Sequence, residues 1–406
     1  MTKDLRCVMV YGGVATTPSG GLYPCCRCTY DNMYWGEPKD YMSSSYVETM
    51  KEQMRQGIWP KICQTCARAE DNGIISKRER RNKWWMDEGH SMDDLESVTE
   101  VRRIDLRLSN LCNLACCSCD GKDSSMLTEE SVKFYDTIPR HLKMSYDANK
   151  DKNLREPYSE EHVNQLIEMI SPNSEVYITG GEPSLIKGVS RLLERLIEKG
   201  YNRTVKLQFN SNFAAFNQQW INLVSEFDQG HMMISVDATK DVAEYVRYHS
   251  KWDKIDTNVK NFLTQSPPGW QTSIFVTPSA LNAFNLKHLT QWFYEELKPL
   301  VPRTYTLNLT VENFLTRPNY FSMSSLSDNA KLAMKAELEN IIKSFPLQGS
   351  SVSDFNEIIK YMMIPGRSDM HAMIDALERF DKMRGTNWRT VLPELDYHYK
   401  EYCNER

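Results

Sequence analysis

Three cysteines in the middle of the chain have the spacing of ligands to an iron–sulfur cluster. Cys112, Cys116 and Cys119 follow the pattern C-x3-C-x2-C, and Cys117 lies between the second and the third. Cysteine thiolates hold such clusters, and electron carriers mostly supply four per cluster. A 4Fe–4S cube on three thiolates keeps one iron open to a substrate or cofactor, so the spacing predicts a cluster that takes part in chemistry. The alternatives are buried free thiols, or a zinc site with Cys117 as fourth ligand.

The residues around this motif alternate between strand and helix patterns. Strongly apolar positions at helical spacing predict a helix at Val189–Lys199, which Gly200 ends. Strands are predicted at Arg103–Leu108, Glu175–Thr179, Thr204–Asn210, Met232–Asp237, Gln271–Thr277 and Thr304–Thr310. Strands that alternate with helices imply βαβ units. Because six units fall short of a closed eight-stranded barrel, the sequence predicts an α/β fold with a partial (β/α)6 barrel.

Polar residues take every second position in the first, third, fourth and sixth of these strands. In a barrel the apolar positions must pack against the outer helices, so the polar positions would line the lumen around a ligand. Asp105, Tyr177 and Asp237 are the lumen-facing candidates for acid–base chemistry. An antiparallel sheet with one solvated face alternates in the same way and is the other interpretation.

A glycine pair follows the second predicted strand, as the cysteine motif follows the first. Gly180, Gly181 and Glu182 precede Pro183. Taken alone, this segment is typical of any strand-to-helix turn. Together with the cysteine spacing and the strand order, it resembles the radical S-adenosylmethionine (SAM) enzymes. The resemblance implies that these three residues bind the amino group of SAM.

Further positions match that family in the same strand order. Ser235 ends the fourth strand and Arg247 follows it, and the resemblance implies that both bind the SAM carboxylate. A guanidinium matches a carboxylate by two parallel hydrogen bonds. Asn210 and Asn212, at the end of the third strand, would contact the ribose or the methionine part. Each of these residues, taken singly, is more often a cap or a turn residue. Ser118 departs from the family, which often has a large residue before the third cysteine.

The first hundred residues hold a second group of cysteines. Cys7, Gly20 and Cys25 follow the pattern C-x12-G-x4-C, and Cys63 and Cys66 form C-x2-C. This arrangement resembles the twitch form of the SPASM modules of radical SAM enzymes. Looser matches to that group lie at 69–78, 381–385 and 393–395.

The resemblance implies an auxiliary 4Fe–4S cluster with ligands Cys7, Cys25, Cys63 and Cys66. Cys26 and Cys28 would then be spectators. The alternative is structural zinc held by Cys25, Cys28, Cys63 and Cys66, which leaves Cys7 unused.

Three domains are predicted along the chain. Residues 1–100 would form the twitch domain, 101–311 the barrel, and 312–406 a helical region whose best helices are Ala330–Ser344 and Met370–Met383. The polar segment Lys143–Ser159 is predicted to be a loop.

Composition limits the functional classes. The 406 residues carry a net charge of −5, so a basic nucleic-acid footprint is absent from the sequence as a whole. The basic run Lys77–Arg81 is interpreted as a solvated helix face. No apolar run approaches the length of a membrane span, and the start of the sequence lacks a signal peptide. We therefore expect a cytoplasmic protein, in which clustered thiols act as metal ligands.

The resemblance implies a reaction as well as a fold. SAM would be cleaved reductively to a 5′-deoxyadenosyl radical, which abstracts hydrogen from a substrate. The predicted substrate is a peptide; a small molecule, sugar or nucleotide is the alternative. The electron would come from a donor such as flavodoxin or ferredoxin. From another class, a non-catalytic iron–sulfur redox sensor or a zinc-bearing interaction protein would need no SAM site.

Overall fold

The structure is a computed structural model that describes residues 4–28, 32–73, 75–145, 158–216, 218–311, 314–347, 349–364 and 369–404. The predicted loop Lys143–Ser159 lies largely outside these ranges.

The described chain alternates between helices and short strands. The strands are β1 (Gly13–Thr16), β2 (Leu22–Tyr23), β3 (Val101–Leu106), β4 (Ala115–Cys116), β5 (Ile170–Ile178), β6 (Lys206–Ser211), β7 (Gly230–Ser235), β8 (Arg247–Tyr248), β9 (Trp270–Phe275) and β10 (Thr306–Thr310). The helices are α1 (Val8–Gly12), α2 (Ser45–Arg55), α3 (Gln64–Asp71), α4 (Lys77–Asp87), α5 (Ser125–Lys133), α6 (Arg140–Ser145), α7 (Glu160–Glu168), α8 (Lys187–Glu198), α9 (Gln218–Ser225), α10 (Lys240–Val246), α11 (Trp252–Gln265), α12 (Leu286–Trp292), α13 (Asp328–Ser344), α14 (Gly349–Met362), α15 (Met370–Arg384), α16 (Trp388–Val391) and α17 (Pro393–Asn404). None of these helices is long and apolar enough to cross a membrane.

The chain divides into two compact units that interleave in sequence. Unit 1 contains Met1–Asn110, Leu154–Phe209 and Glu226–Gly230, and unit 2 contains Leu111–Asn153, Asn210–Ser225 and His231–Arg406. The domain boundaries expected from the sequence remain a prediction.

Unit 1 is built around a mostly parallel sheet. Its strand order is β6-β5-β3-β1-β2, with β3 parallel to both β1 and β5. The hairpin partner β2 is antiparallel to β1. The apolar positions of the central strands are fully buried, as Ile104, Leu106, Val176 and Ile178 are 0% exposed. This burial fixes the register of the polar residues between them.

Unit 2 joins a smaller set of strands to many helices. Its strand order is β7-β9-β10, and β9 and β10 are parallel. The two-residue strands β4 and β8 form a separate antiparallel pair. From residue 328 onward the described elements are all helices, α13 to α17.

The predicted α/β class with a helical C-terminal region is confirmed. All six predicted strands are present, with boundaries shifted by at most five residues. The strands β1, β2, β4 and β8 were not predicted, because segments of two to four residues are too short to show an alternating pattern.

The interpretation of Lys77–Arg81 as a solvated helix face is wrong for part of the run. These residues begin α4, which Ser76 and Glu79 start with a reciprocal capping box. The Arg78 side chain is 8% exposed and pairs with Glu70 at 2.7 Å. Arg81 pairs with Glu175 at 2.9 Å. The charges are therefore matched by buried carboxylates, which a composition argument does not detect.

Candidate active site and metal centres

The cysteine motif Cys112–Cys119 lies in unit 2, in a loop held by backbone pairing. Cys116 is in β4 and pairs with Arg247 in β8. The Cys112 amide donates to Ser125 Oγ at 3.2 Å, and the Cys119 amide donates to the Cys116 carbonyl at 3.2 Å. The loop therefore holds the three predicted ligands at defined backbone positions while each keeps intermediate exposure.

The thiols of Cys116 and Cys119 are poor anions in a protein without metal. Burial raises the pKa of Cys116, and the charges of Arg247 and Arg384 act against burial. The pKa of Cys119 is raised well above its usual value, first by burial and then by Asp123 and the other cysteines. A metal holds thiols as thiolates and releases their protons. Three thiols with arginine charge nearby match the chemistry of a cluster site.

Cys117 faces away from this set. Its side chain is 0% exposed, and its sulfur donates to the Tyr245 carbonyl at 3.5 Å. Its amide donates to the Val246 carbonyl at 2.8 Å, and Arg384 Nη1 donates to its sulfur at 3.3 Å. These contacts give Cys117 a role in fixing the loop.

The predicted carboxylate-binding residues lie in the same unit as the cysteine motif. Arg247 donates through Nε and Nη2 to Asp237 Oδ2, both at 2.9 Å. Burial works against the charge of Arg247, but Asp237 and the Cys116 and Cys112 sulfurs outweigh burial and raise its pKa. Ser235 ends β7 with intermediate exposure. The lumen candidate Asp237 thus orients an arginine.

Asn212 contacts the cysteine motif directly. Its Nδ2 donates to Asn113 Oδ1 at 2.9 Å and lies 3.9 Å from the Cys112 sulfur. Its Oδ1 accepts from the Ala214 amide at 2.8 Å, which fixes the turn after β6. Asn210 has a buried Oδ1 with no hydrogen-bond partner among the described residues. Such a buried acceptor favours a donor from a bound molecule.

The glycine pair lies in unit 1, directly after β5. Gly180 has φ 92°, and a Cβ there would lie 3.1 Å from the Ser109 carbonyl oxygen and 3.2 Å from the Arg107 Cα. The Gly181 amide donates to the Ser109 carbonyl at 3.1 Å. Close approach to the segment after β3 therefore explains Gly180. Glu182 is 1% exposed, and its Oε1 accepts from Ser184 Oγ at 2.8 Å.

Five of the N-terminal cysteines line one small cavity in unit 1. They come from the start of α1, the loop after β2, and α3 with the turn before it: Cys7, Cys25, Cys28, Cys63 and Cys66. The remaining walls include Met9, Met54 and Trp59. All four predicted ligands are brought together, and Cys28 joins them.

Burial and neighbouring thiols raise the pKa values of Cys7 and Cys28. The pKa of Cys7 is raised to about 12, mainly by burial and then by Cys63. A hydrogen bond with Cys63, followed by burial, raises the pKa of Cys28 well above its usual value. Among the described residues no group of His, Cys, Asp or Glu side chains is arranged to hold a single metal ion. A 4Fe–4S cube distributes its thiolates over separate irons, so its ligands need not converge on one point.

Cys26 is separate from this group. Lys77, the first residue of α4, donates to the Cys26 sulfur at 2.8 Å. The pKa of Cys26 is lowered to about 6, first by a hydrogen bond from Cys25 and with help from Lys77. Sequence reasoning missed Lys77, whose place at a helix start next to a cysteine-rich loop is visible only in the fold.

Arg384 is the other contact that sequence reasoning missed. It lies in the segment 381–385, whose loose likeness to the family was the available signal. A family model described as Radical SAM superfamily matches residues 106–276, from the end of β3 to just beyond β9. The chain carries a radical SAM domain. The prediction of a radical SAM enzyme is confirmed at the level of this domain, and the cysteine motif and the glycine pair both lie inside the matched region.

Two solved structures have a distant likeness to this chain. Native anSMEcpe with bound AdoMet has 15% sequence identity and a TM-score of 0.38, over 60% of each chain. Streptococcus suis SuiB bound to precursor peptide SuiA has 12% identity and a TM-score of 0.35, over 73% of this chain and 59% of SuiB. The matched part thus spans about 60% of the length of these solved chains. No curated protein sequence matches this chain.

Proposed function

We propose that the protein cleaves SAM reductively and uses the resulting radical to abstract hydrogen from a substrate. The proposal is supported by the family match, which begins at the end of β3 and includes the cysteine motif. When bound, a 4Fe–4S cluster and SAM together supply the 5′-deoxyadenosyl radical. The chain itself would bind, orient and shield the reacting groups.

Each predicted site residue has a role in this proposal. Cys112, Cys116 and Cys119 would hold the cluster. Arg247, whose fork is already oriented by Asp237 at 2.9 Å, would present its guanidinium to the SAM carboxylate. The buried acceptor of Asn210 and the amide of Asn212 would receive other parts of SAM. Gly180, Gly181, Glu182 and Ser235 complete the proposed set.

An auxiliary 4Fe–4S cluster is proposed at the N-terminal cysteines. The zinc alternative uses Cys25, Cys28, Cys63 and Cys66, and it gives Cys7 no role. Cys7 lines the same cavity as those four and is 6% exposed. Its position favours the ligand set Cys7, Cys25, Cys63 and Cys66 and a twitch-type domain. This centre would accept an electron from the substrate radical.

We propose a peptide substrate and a flavodoxin or ferredoxin as electron donor in a cytoplasmic protein. These finer assignments rest on the resemblance of the N-terminal cysteine spacing to twitch and SPASM modules. The same chemistry on a small molecule, sugar or nucleotide is the second candidate.

Anaerobic reconstitution tests the reaction class without a known substrate. The reconstituted protein, mixed with dithionite and SAM, is expected to release 5′-deoxyadenosine, measured by liquid chromatography. The triple variant Cys112→Ala/Cys116→Ala/Cys119→Ala should release none, and Cys403→Ala, which alters an exposed cysteine, should match the unaltered protein. Intact SAM in the presence of a fully formed cluster would refute the proposal and favour a redox sensor.

A further inference from the structure

Arg384, the last residue of α15, forms hydrogen bonds with the loop that contains the cysteine motif. Its side chain is 2% exposed. Nη2 donates to the Ala115 carbonyl at 2.8 Å, and Nη1 donates to the Cys117 sulfur at 3.3 Å. Ala115 and Cys117 directly flank Cys116, so the guanidinium holds both neighbours of one proposed ligand.

The charge of Arg384 is matched by one buried carboxylate. Glu130 in α5 accepts from Nε at 3.1 Å and from Nη2 at 2.8 Å. The Glu130 side chain is 11% exposed. Removing either partner of such a pair leaves an uncompensated charge in a poorly solvated place. The pair therefore presents a balanced charge directly beside the loop.

Aromatic rings and the turn after α15 fix the arginine from the other side. The guanidinium carbon lies 4.0 Å from the Phe380 ring centroid and 4.6 Å from that of Tyr248. Tyr248 donates to the Arg384 carbonyl at 3.2 Å. Asp381 accepts from the Tyr245 hydroxyl at 3.0 Å and from the Trp388 amide at 2.8 Å. Arg384 thus has little freedom to move away from the loop.

We propose that Arg384 and Glu130 form a positioning pair that fixes the cysteine loop and balances the charge beside the cluster bound there, so that removing either partner alone shifts the reduction potential of the cluster. The inference rests on the proposed function, because it assumes a cluster at Cys112, Cys116 and Cys119. Reduction adds one negative charge to the cluster. A nearby cation favours that step and a nearby anion opposes it, and partial burial strengthens both effects.

Variants that remove one charge distinguish an electrostatic effect of Arg384 and Glu130 on the cluster from a purely structural effect on the loop. Arg384→Met should make the cluster harder to reduce, and Glu130→Gln should make it easier. The double variant should return close to the unaltered protein. We take the removed charge to be roughly 10 Å from the cluster centre, at an effective dielectric constant of about 20. The ratio of reduced to oxidised cluster at a fixed potential should then change about tenfold. The readout is the signal of the reduced cluster in an EPR-monitored titration without SAM.

Arg379→Met is the matched control. Arg379 lies on the same helix and pairs with Asp375 at 2.7 Å, but its side chain is 38% exposed. Its removal should leave the titration unchanged. Arg384→Lys keeps the charge and loses the fork, so it should keep the potential and release iron faster to a chelator.

The outcomes distinguish this inference from the function on which it rests. Shifts of Arg384→Met and Glu130→Gln in the same direction, or no shift with full iron content, would overturn the inference. If Arg384→Met does not fold, Glu130→Gln decides by the direction of its shift. Failure of the unaltered protein to bind iron at this motif would instead overturn the proposed function.

Discussion

At the residue scale, the N-terminal cysteines separate into two groups that their spacing does not distinguish. Cys28 lines the cavity with the proposed ligands, whereas Cys26 is paired with Lys77. Sequence reasoning treated both as spectators, because neighbouring positions in a short loop give no sign of side-chain direction. The four proposed ligands nevertheless line one cavity.

Iron content tests the ligand assignment. After reconstitution we expect about eight iron atoms per chain, about four in Cys7→Ala, and about eight in Cys26→Ala. Cys28→Ala is the discriminating variant, because Cys28 lies in the same cavity. Retention of about eight irons agrees with Cys25 as ligand, whereas a loss of four would assign Cys28 in its place. Zinc in the protein as purified, with four irons, would restore the zinc alternative.

Gly180 should be hard to replace for reasons of backbone conformation. Gly180→Ala combines φ 92° with contacts of 3.1–3.2 Å to backbone atoms, so we expect a loss of about 1–3 kcal/mol in the free energy of unfolding. Gly200→Ala is the control, since Gly200 has φ 72° and nothing within 4 Å of the added Cβ. Its cost should stay near ~1 kcal/mol in urea unfolding. Equal losses in the free energy of unfolding for Gly180→Ala and Gly200→Ala would show that the close backbone contacts of Gly180 do not matter.

At the element scale, a buried ion network joins α4 to the central strands of unit 1. Glu175 in β5 accepts from Arg103 in β3 at 2.5 Å and from Arg81 in α4 at 2.9 Å. Arg103 also donates to Asp105 at 2.7 Å. The alternation of polar residues in β3 and β5 predicted which face these side chains share. The partner from α4 was not predictable, because it comes from a segment 94 residues earlier in sequence.

Breaking this network should destabilise the protein substantially. Glu175→Gln removes one carboxylate from two arginines, and we expect a loss of about 2–4 kcal/mol because Asp105 still balances part of the charge. Asp228→Asn, which breaks the exposed pair with Arg203, should cost less than about 1 kcal/mol. Urea unfolding at neutral pH compares the two, and similar losses would argue against a buried network.

The same network predicts that the stability of the folded protein depends on pH. Burial alone would raise the pKa of Glu175, but Arg81 and Arg103 outweigh burial and lower it below its ordinary value of 4.5. The stabilisation is therefore complete above that value and is lost as pH falls below it. As the pH falls from neutral to below 4.5, the unaltered protein should lose more stability than Glu175→Gln. Parallel losses in urea midpoints would contradict this assignment.

At the scale of the whole molecule, the six strands from 101 to 311 were predictable from the sequence, and the pairing of β1 with β3 was not. Apolar and polar residues alternate in most of these six strands, because one face of each strand is buried. The parallel pairing of β1 with β3 joins residues 13–15 to 103–105. A contact over that distance in sequence leaves no local pattern, so the sequence did not predict that residues 1–100 supply a strand to this sheet.

Removing residues 1–100 should therefore damage the remaining sheet. The truncated protein loses the parallel partner of β3, the partner Arg81 of Glu175, and the side of β3 that β1 covers. We expect aggregation or loss of cooperative thermal unfolding, because an uncovered strand edge pairs with other chains. A truncated protein that stays monomeric and unfolds cooperatively would show that residues 101–406 are an independent folding unit.

The interleaving of the two units also has a consequence for biosynthesis. Unit 1 takes its last segment from Glu226–Gly230, so it cannot be complete until the ribosome has passed that point. At about 5–20 residues per second, the first cysteines wait on the order of 10–50 s after their own synthesis. During this interval Cys7 and Cys25 lie on an unfinished chain and lack the burial that the completed unit gives them. Until the units are complete, binding of iron by the cysteine thiols would compete with oxidation of the same thiols.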